Sequence, residues 1–410
     1  MTQHPLPDAD QMRAAFLAGI DAADPARAVA RALESGRFAR PEGRIFVLAI
    51  GKAAGAMMGA ALAALPKPHA ALVVTNYENA GPVAGARVMA AGHPVPDENG
   101  LQAGLAVQKM LARTTRNDTV LVLVSGGGSA LVPAPVSGVT LDEKAQVNRL
   151  LLGAGLDITQ MNMVRQHLSR LKGGGVLHCA APAPVTALIL SDVIGDDLRV
   201  IASGPTVAPI CTRAEAMRLL EDHGLWAEVP DSVRAVLRRD DAPRAVPEAA
   251  NHLVGSNAQS VAAVARALPR AQADPVPLMG DVAAAAARIV ALAEHPGVTV
   301  LGGETTVTLR GTGLGGRNQE LALRVALALQ DRQGWRFLSG GTDGRDGPTQ
   351  AAGALVDGGT VARIRAAGGD PKALLANNDS HAALTLAGDL LVTGGTGTNV
   401  ADVQIMAAQG

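Results

Sequence analysis

Four times along this chain an apolar run stops at paired glycines with a hydroxyl or an acid beside them. The segments are VLVSGGGS at 122–129, VLGGET at 300–305, FLSGGTDG at 337–344 and LVTGGTGTN at 391–399. A run of Val, Leu and Ile that breaks at glycine reads as a buried strand meeting a tight turn. Several such runs are followed by helical periodicity. Strand-like stretches at 45–50, 71–75, 119–124, 185–190, 252–255, 298–301, 335–339, 353–357 and 389–393 alternate with helical ones at 53–64, 100–113, 142–155, 257–268, 281–294 and 317–331. Alternation of this kind predicts an α/β fold with largely parallel sheets covered by helices. In open α/β sheets ligands bind beyond the carboxyl ends of the strands, where the glycine turns lie. Backbone N–H groups turned outward there, together with a helix N-terminus, suit an anion such as phosphate.

A length of 410 residues predicts two domains. The charged, proline-bearing stretch RRDDAPRAVPEAANH reads as a linker near 240–252 and divides the chain at about 1–245 and 250–410, with the apolar stretch 400–408 free to join either part. Aromatic residues make up only 2%, so the cores must be aliphatic. With 36 basic and 37 acidic residues there is no basic excess of the sort nucleic-acid binders carry. Cys179 and Cys211 have no metal-ligand spacing and fit a reducing compartment. The N-terminus has no signal-like pattern, and Lys52 interrupts the most membrane-like stretch, 45–65, so a cytoplasmic, membrane-free protein is expected.

Nucleotide signatures narrow the chemistry. A P-loop is excluded, because Phe46 and Ala53 stand where a glycine and a hydroxyl are needed around Gly51-Lys52. A GxGxxG occurs at 311–316, but the alternating TTVTLR before it is a poor Rossmann strand and Asp331 and Asp343 are ill-placed acids. It leaves NAD(P)H-dependent reduction as the alternative function. A non-catalytic sensor of a phosphorylated acid is a third reading.

The residues that could carry chemistry are charges at strand ends. Lys52, beside Gly51, can reach a phosphate or a carboxylate. Ser125, Gly126, Gly127, Gly128 and Ser129 form a phosphate-cradling candidate, and Gly340 and Gly341 another. Asp192, in LILSDVIGDD, and Asp343, in SGGTDGRDG, are hard oxygen ligands or bases; Mg²⁺ usually takes one or two carboxylates plus substrate phosphates. Arg317, in GLGGRNQELAL, sits at a helix start where its charge is unfavourable unless an anion compensates, with Asn318 beside it and Glu304 upstream. Asp346, Asp196, Asp197 and His93 are weaker candidates. Arg165 and Lys172, in MNMVRQHLSRLKGGG, could grip an anion, although a glycine C-cap also accounts for that stretch. One lysine, one arginine and several aspartates fit phosphoryl transfer, which rests on positioning and charge neutralisation.

These segments, with AIGKAAGAM, GHPVPDENG, ASGPT, NNDSHAAL and LVTGGTGTNVADV, run in order over about 45–403 and resemble the class II glycerate kinases, the glycerate 2-kinase family with a MOFRL-type C-terminal domain. The resemblance implies two α/β domains, the first Rossmann-like, with the active site in the cleft between them. It implies phosphorylation of D-glycerate to 2-phosphoglycerate with ATP and a divalent metal, taken here as Mg²⁺. It places the family's essential lysine on Lys52, its essential arginine on Arg317 and its site acids on Asp192 and Asp343. Family members sometimes carry a hydroxypyruvate reductase label. The sequence leaves open assembly as a homodimer.

Overall fold

A computed structural model describes residues 6–38, 43–239 and 245–409. The chain forms two units, Pro25–Val254 and Met1–Asp24 with Gly255–Gly410.

The first unit carries a six-stranded sheet made of β1 (Ile45–Ile50), β2 (Ala70–Asn76), β3 (Arg87–Ala91), β4 (Thr119–Val124), β5 (Val185–Leu190) and β6 (Ala249–Gly255). The order is β3-β2-β1-β4-β5-β6, and β1 to β5 pair in parallel. This is the doubly wound, Rossmann-like order that the resemblance implied. All six residues of β1 are buried, as expected of a strand covered on both faces. The order reverses between β1 and β4, so the crevice beyond their carboxyl ends lies at Gly51 and Ser125. The expected linker ends in a strand, since β6 begins at Ala249; its residues 240–244 lie outside the described part of the chain.

The second unit holds β7 (Gln272–Ala273), β8 (Leu278–Asp281), β9 (Gly297–Thr306), β10 (Trp335–Gly341), β11 (Gly353–Asp357), β12 (Leu390–Leu391) and β13 (Asp402–Ala408). The sheet runs β12-β11-β10-β13-β9-β7, with β8 also on β9. Only β7 and β8 pair in parallel, each with β9; the other pairs are antiparallel, contrary to the expectation of largely parallel pairing. Two features explain the difference. No helix connects β10 to β11, and the apolar stretch at 400–408 enters as a central strand between β9 and β10 with all seven residues of β13 buried. Helices Val282–Leu292 and Arg317–Ala328 supply Ile289, Leu321 and Val325 to one core, with Phe337 and Met406. Helix Asn257–Ala267 supplies Val261 and Val264 to another, with Leu338 and Ile405.

The chain division also differs from 1–245 and 250–410 at its start. Helix Ala9–Ala22, opened by an Asp8/Gln11 capping box, buries Met12 and Phe16 against the second unit's core. A β-carbon on Gly19 would fall 2.5 Å from Val264, so the two helices approach closely. The hydroxyls of Ser260 and Thr398 donate to the Gly19 and Ala23 carbonyls at 2.8 and 2.7 Å. Among the described residues, no helix is long and apolar enough to cross a membrane.

Candidate active site

In the first unit the sheet positions the chemistry. Beyond β1 the backbone turns at Gly51, whose φ of 126° and close approach to Ser125 require glycine: a β-carbon would fall 2.2 Å from Ser125 Oγ. The Lys52 N–H donates to the Gly126 carbonyl at 2.9 Å, and Ser125 Oγ accepts from the Ala53 N–H at 3.1 Å. The loops after β1 and β4 are therefore tied to each other. Gly127 has φ 83°; a β-carbon there would lie 3.1 Å from the His93 ring and 3.2 Å from Lys52 Cγ. One on Gly126 would fall 2.0 Å from Asp192 Oδ2. Lys52, His93, Ser125, Gly126, Gly127 and Asp192 thus meet where the strand order reverses. Burial holds His93 below its usual range, assisted by Lys52 and opposed by Glu78. Asp197 is engaged by the Arg199 guanidinium at 2.7 Å, whereas Asp196 Oδ1 is buried with no partner among the described residues.

Ser129, two residues beyond Gly127, faces a different set. Arg165 and Lys172 donate to its hydroxyl at 2.7 and 2.5 Å, and it lies 2.8 Å from Ser203 Oγ. The glycines after Lys172 do not present N–H groups to a ligand. Gly173 and Gly174 donate to the Ser203 and Gly204 carbonyls at 3.1 and 2.8 Å, so this run ties the Lys172 turn to the ASGPT segment. Lys144, which no sequence pattern singled out, joins the same cluster; burial and the nearby Arg165 push it down to about 7.

In the second unit the expected residues are present, but most are committed to protein partners. Arg317 Nε and Nη2 donate to the two oxygens of Asp402 at 2.6 and 2.9 Å, and Nη1 donates to Glu304 at 2.8 Å. The anion expected beside this helix start is supplied by the protein. Asp346 accepts from the Asn318 and Gln319 N–H groups at 3.1 and 2.8 Å and caps the helix. Asn318 is buried, and its Oδ1 accepts from the Ser339 hydroxyl at 2.6 Å. Gly340 makes room for Phe16 and Leu391, and a β-carbon on Gly341 would fall 2.8 Å from the Arg345 carbonyl. Asp343 is half-buried, with Oδ1 accepting from the Arg345 N–H at 3.0 Å. Among the described residues, Gly394, Gly395 and Gly397 face open space, with no atom within 4 Å of an added β-carbon.

The GxGxxG at 311–316 is a packing loop. Beta-carbons on Gly311, Gly313 and Gly315 would fall 2.1–2.4 Å from Asn377, Asp379 and Ser380 atoms. The strand before it, β9, pairs antiparallel with the central β13 and in parallel only with the short β7 and β8, so it is not part of the all-parallel sheet a dinucleotide turn needs.

Residues 3–238 match the family described as Domain of unknown function (DUF4147), and residues 297–402 match the MOFRL family. A D-glycerate 2-kinase of Thermotoga maritima is 42% identical over 380 residues, 88% of this chain and 90% of that protein. The chain belongs to the glycerate 2-kinase family. A further glycerate 2-kinase, from Pyrococcus horikoshii, is 37% identical over 94% of each chain. A crystal structure of a Thermotoga maritima glycerate kinase matches with a TM-score of 0.90 at 39% identity, covering 97% of this chain and 98% of that one. A protein named putative hydroxypyruvate reductase, from Agrobacterium vitis, is 40% identical over 96% of this chain and 93% of its own. The glycerate 2-kinase likeness therefore spans both units, and with it the residues of both strand-end constellations.

Proposed function

We infer that this chain is an enzyme that phosphorylates glycerate with ATP, and that the product is 2-phosphoglycerate. The observation that carries this reading is identity of 37–42% with glycerate 2-kinases over both units. The chemistry of the first unit supports it. Lys52 is a cation beside a glycine loop, and its ammonium has no ion pair among the described residues. A cation so placed can neutralise charge that builds on a phosphoryl group in flight. Asp192, against Gly126, is proposed to orient the attacking hydroxyl or to accept its proton.

The residues fit a Mg²⁺ ion of the kind kinases use. Among the described residues no cluster of three acidic, His or Cys ligands is pre-assembled, but Mg²⁺ needs only one or two carboxylates once phosphates are bound. Asp192 and Asp343 are the proposed holders, and the buried, unpartnered Asp196 Oδ1 is a further oxygen of the right type. When bound, the ion would neutralise phosphate oxygens. Arg317 is proposed to be required as well. Three of its five N–H groups are spent on carboxylates, leaving one on each Nη for a substrate oxygen. We place the protein in the cytoplasm and propose a homodimer, which light scattering of the purified protein would test.

The reductase reading has the Agrobacterium vitis name in its favour, but the packed glycines at 311–316 leave no dinucleotide turn there. The deciding assay mixes purified protein with D-glycerate, ATP and Mg²⁺ and follows ADP release, with a parallel reaction of hydroxypyruvate and NADH. ADP release with 2-phosphoglycerate as product is expected. NADH consumption without ADP release would overturn the assignment.

A further inference from the structure

Three cations converge in the first unit without an acid to match them. Lys172 is 5% exposed, and its ammonium lies 2.5 Å from Ser129 Oγ. Arg165 reaches the same oxygen at 2.7 Å; burial first, then Arg165 and Lys144, disfavour the Lys172 charge, and burial with Arg165 disfavours that of Lys144. Lys144 itself donates to the Leu168 carbonyl at 3.3 Å. Among the described residues, none of the three pairs with a carboxylate. Burying like charges without counterions is costly, and folds rarely retain it unless something else compensates.

Two further observations mark the spot as built. Asn162 is wholly buried; its Oδ1 accepts from the Ser203 hydroxyl at 2.8 Å, while its Nδ2 is a buried donor with no partner among the described residues. Ala202 and Ser203 both hold left-handed backbone, with φ of 49° and 62°. Non-glycine residues seldom adopt that conformation, and strain of this kind gathers where a ligand is clamped. The strained turn delivers the Ser203 hydroxyl to Ser129. The donors here are one guanidinium, two ammonium groups and an amide; the Ser203 hydroxyl donates to Asn162 and the Ser129 hydroxyl accepts from Arg165 and Lys172. Ser129 is half-buried and directly follows the Ser125–Gly128 loop.

We propose that Ser129, Arg165, Lys172 and Asn162, backed by Lys144, form a buried oxyanion pocket that binds a small carboxylate or phosphate group. Taking the kinase reading as its basis, the occupant is the carboxylate of the acid substrate. Arg165 and Lys172 meet at one oxygen with no carboxylate partner among the described residues, and a guanidinium recognises a carboxylate directly. The alternative source of the same chemistry is a phosphate of the nucleotide.

The test measures binding of D-glycerate, of ATP and of inorganic phosphate, each alone, by calorimetry in the wild-type protein and in Lys172→Met and Arg165→Met. Losing one charge-assisted hydrogen bond should weaken the occupant by roughly ten- to a hundredfold. A loss confined to glycerate supports the pocket and assigns it to the substrate carboxylate. A loss confined to ATP supports the pocket and assigns it to a nucleotide phosphate. Weakened phosphate binding supports it even if the wild type phosphorylates nothing, so failure of the kinase reading would be seen separately. Removing an uncompensated buried charge should also leave the melting temperature unchanged or raise it. Unchanged affinity for all three ligands in both variants, with a lowered melting temperature, would make the cluster a structural element and overturn the proposal. Arg165 is less buried than Lys172, so Arg165→Met preserves the test if Lys172→Met does not fold.

Discussion

Replacing Arg317 by Ala should damage stability as well as turnover, and the damage should grow with pH. The Asp402 side chain is 1% exposed, against 32% for Arg317, so the substitution strands a buried carboxylate rather than a surface one. Breaking a buried pair from one side costs about 3–5 kcal/mol; the partial exposure of Arg317 lets water reach the gap and argues for about 3 kcal/mol. Burial holds Asp402 above the ordinary carboxyl value of 3.8, at about 6, with Arg317 pulling it back. A carboxyl raised on folding contributes stability that is fully present below 3.8 and is lost as pH rises through about 6. Without Arg317 the folded-state value moves higher still. The loss then continues above pH ~6 at up to about 1.4 kcal/mol per pH unit. The variant should therefore trail the wild type by about 1 kcal/mol at pH ~5, where Asp402 is largely protonated in both, and by about 3 kcal/mol at pH ~8. Urea unfolding followed by fluorescence can isolate this unit, because Trp335 is buried in β10 while Trp226 belongs to the first unit. In a Trp226→Phe background the signal comes from Trp335. Adding Asp402→Asn should recover most of the loss at pH ~8. A pH-independent deficit, or no recovery in the double variant, would refute the argument.

Lys52→Met should lower kcat by roughly two to three orders of magnitude with little change in melting temperature; near-normal turnover would remove Lys52 from the mechanism. Gly126→Ala places a methyl 2.0 Å from Asp192 Oδ2, so steady-state kinetics should show a large fall in kcat/KM beside a circular dichroism spectrum like that of the wild type. Gly313→Ala would set a β-carbon 2.4 Å from Asp379 and 2.7 Å from the Asn377 carbonyl, and should destabilise the second unit by about 2 kcal/mol or more in urea titration. A dinucleotide loop would instead have shown altered NADH affinity at unchanged stability.

Much of the first unit could be read from residue order because its central strands are continuous apolar runs that stop at a glycine or a serine. IFVLAI and VLVLV need no long-range information to be recognised. The second unit was less legible. Asp402 and Gln404 interrupt the apolar pattern of β13, yet both are buried, because β13 is a central strand paired on both edges; distant Arg317 satisfies the Asp402 carboxylate, while Gln404 Oε1 has no hydrogen-bond partner among the described residues. Strand direction there is a matter of where the chain returns, which local periodicity does not encode. The same limit applies to the strand-end glycines. In VLGGET and SGGTDG they make room for Asn257, Leu278 and Phe16, while around Gly126 and Gly127 the neighbours are Asp192, His93 and Lys52. Local sequence is alike in these cases and the third-dimension neighbour decides. Lys144 was illegible for a related reason: on an ordinary amphipathic helix, nothing nearby in sequence marks a lysine as half-buried beside Arg165.

The helix Ala9–Ala22 has a bearing on how this chain is made. It is synthesised before the elements it packs against, since its binding face is completed by Val261, Val264 and Leu338, which follow more than two hundred residues later. The intervening unit is topologically an insertion and can complete its own sheet while that helix waits with Met12 and Phe16 uncovered. A fragment starting near residue 250 would in turn be born with a bare apolar groove, and should be rescued by supplying residues 6–24 as a separate peptide.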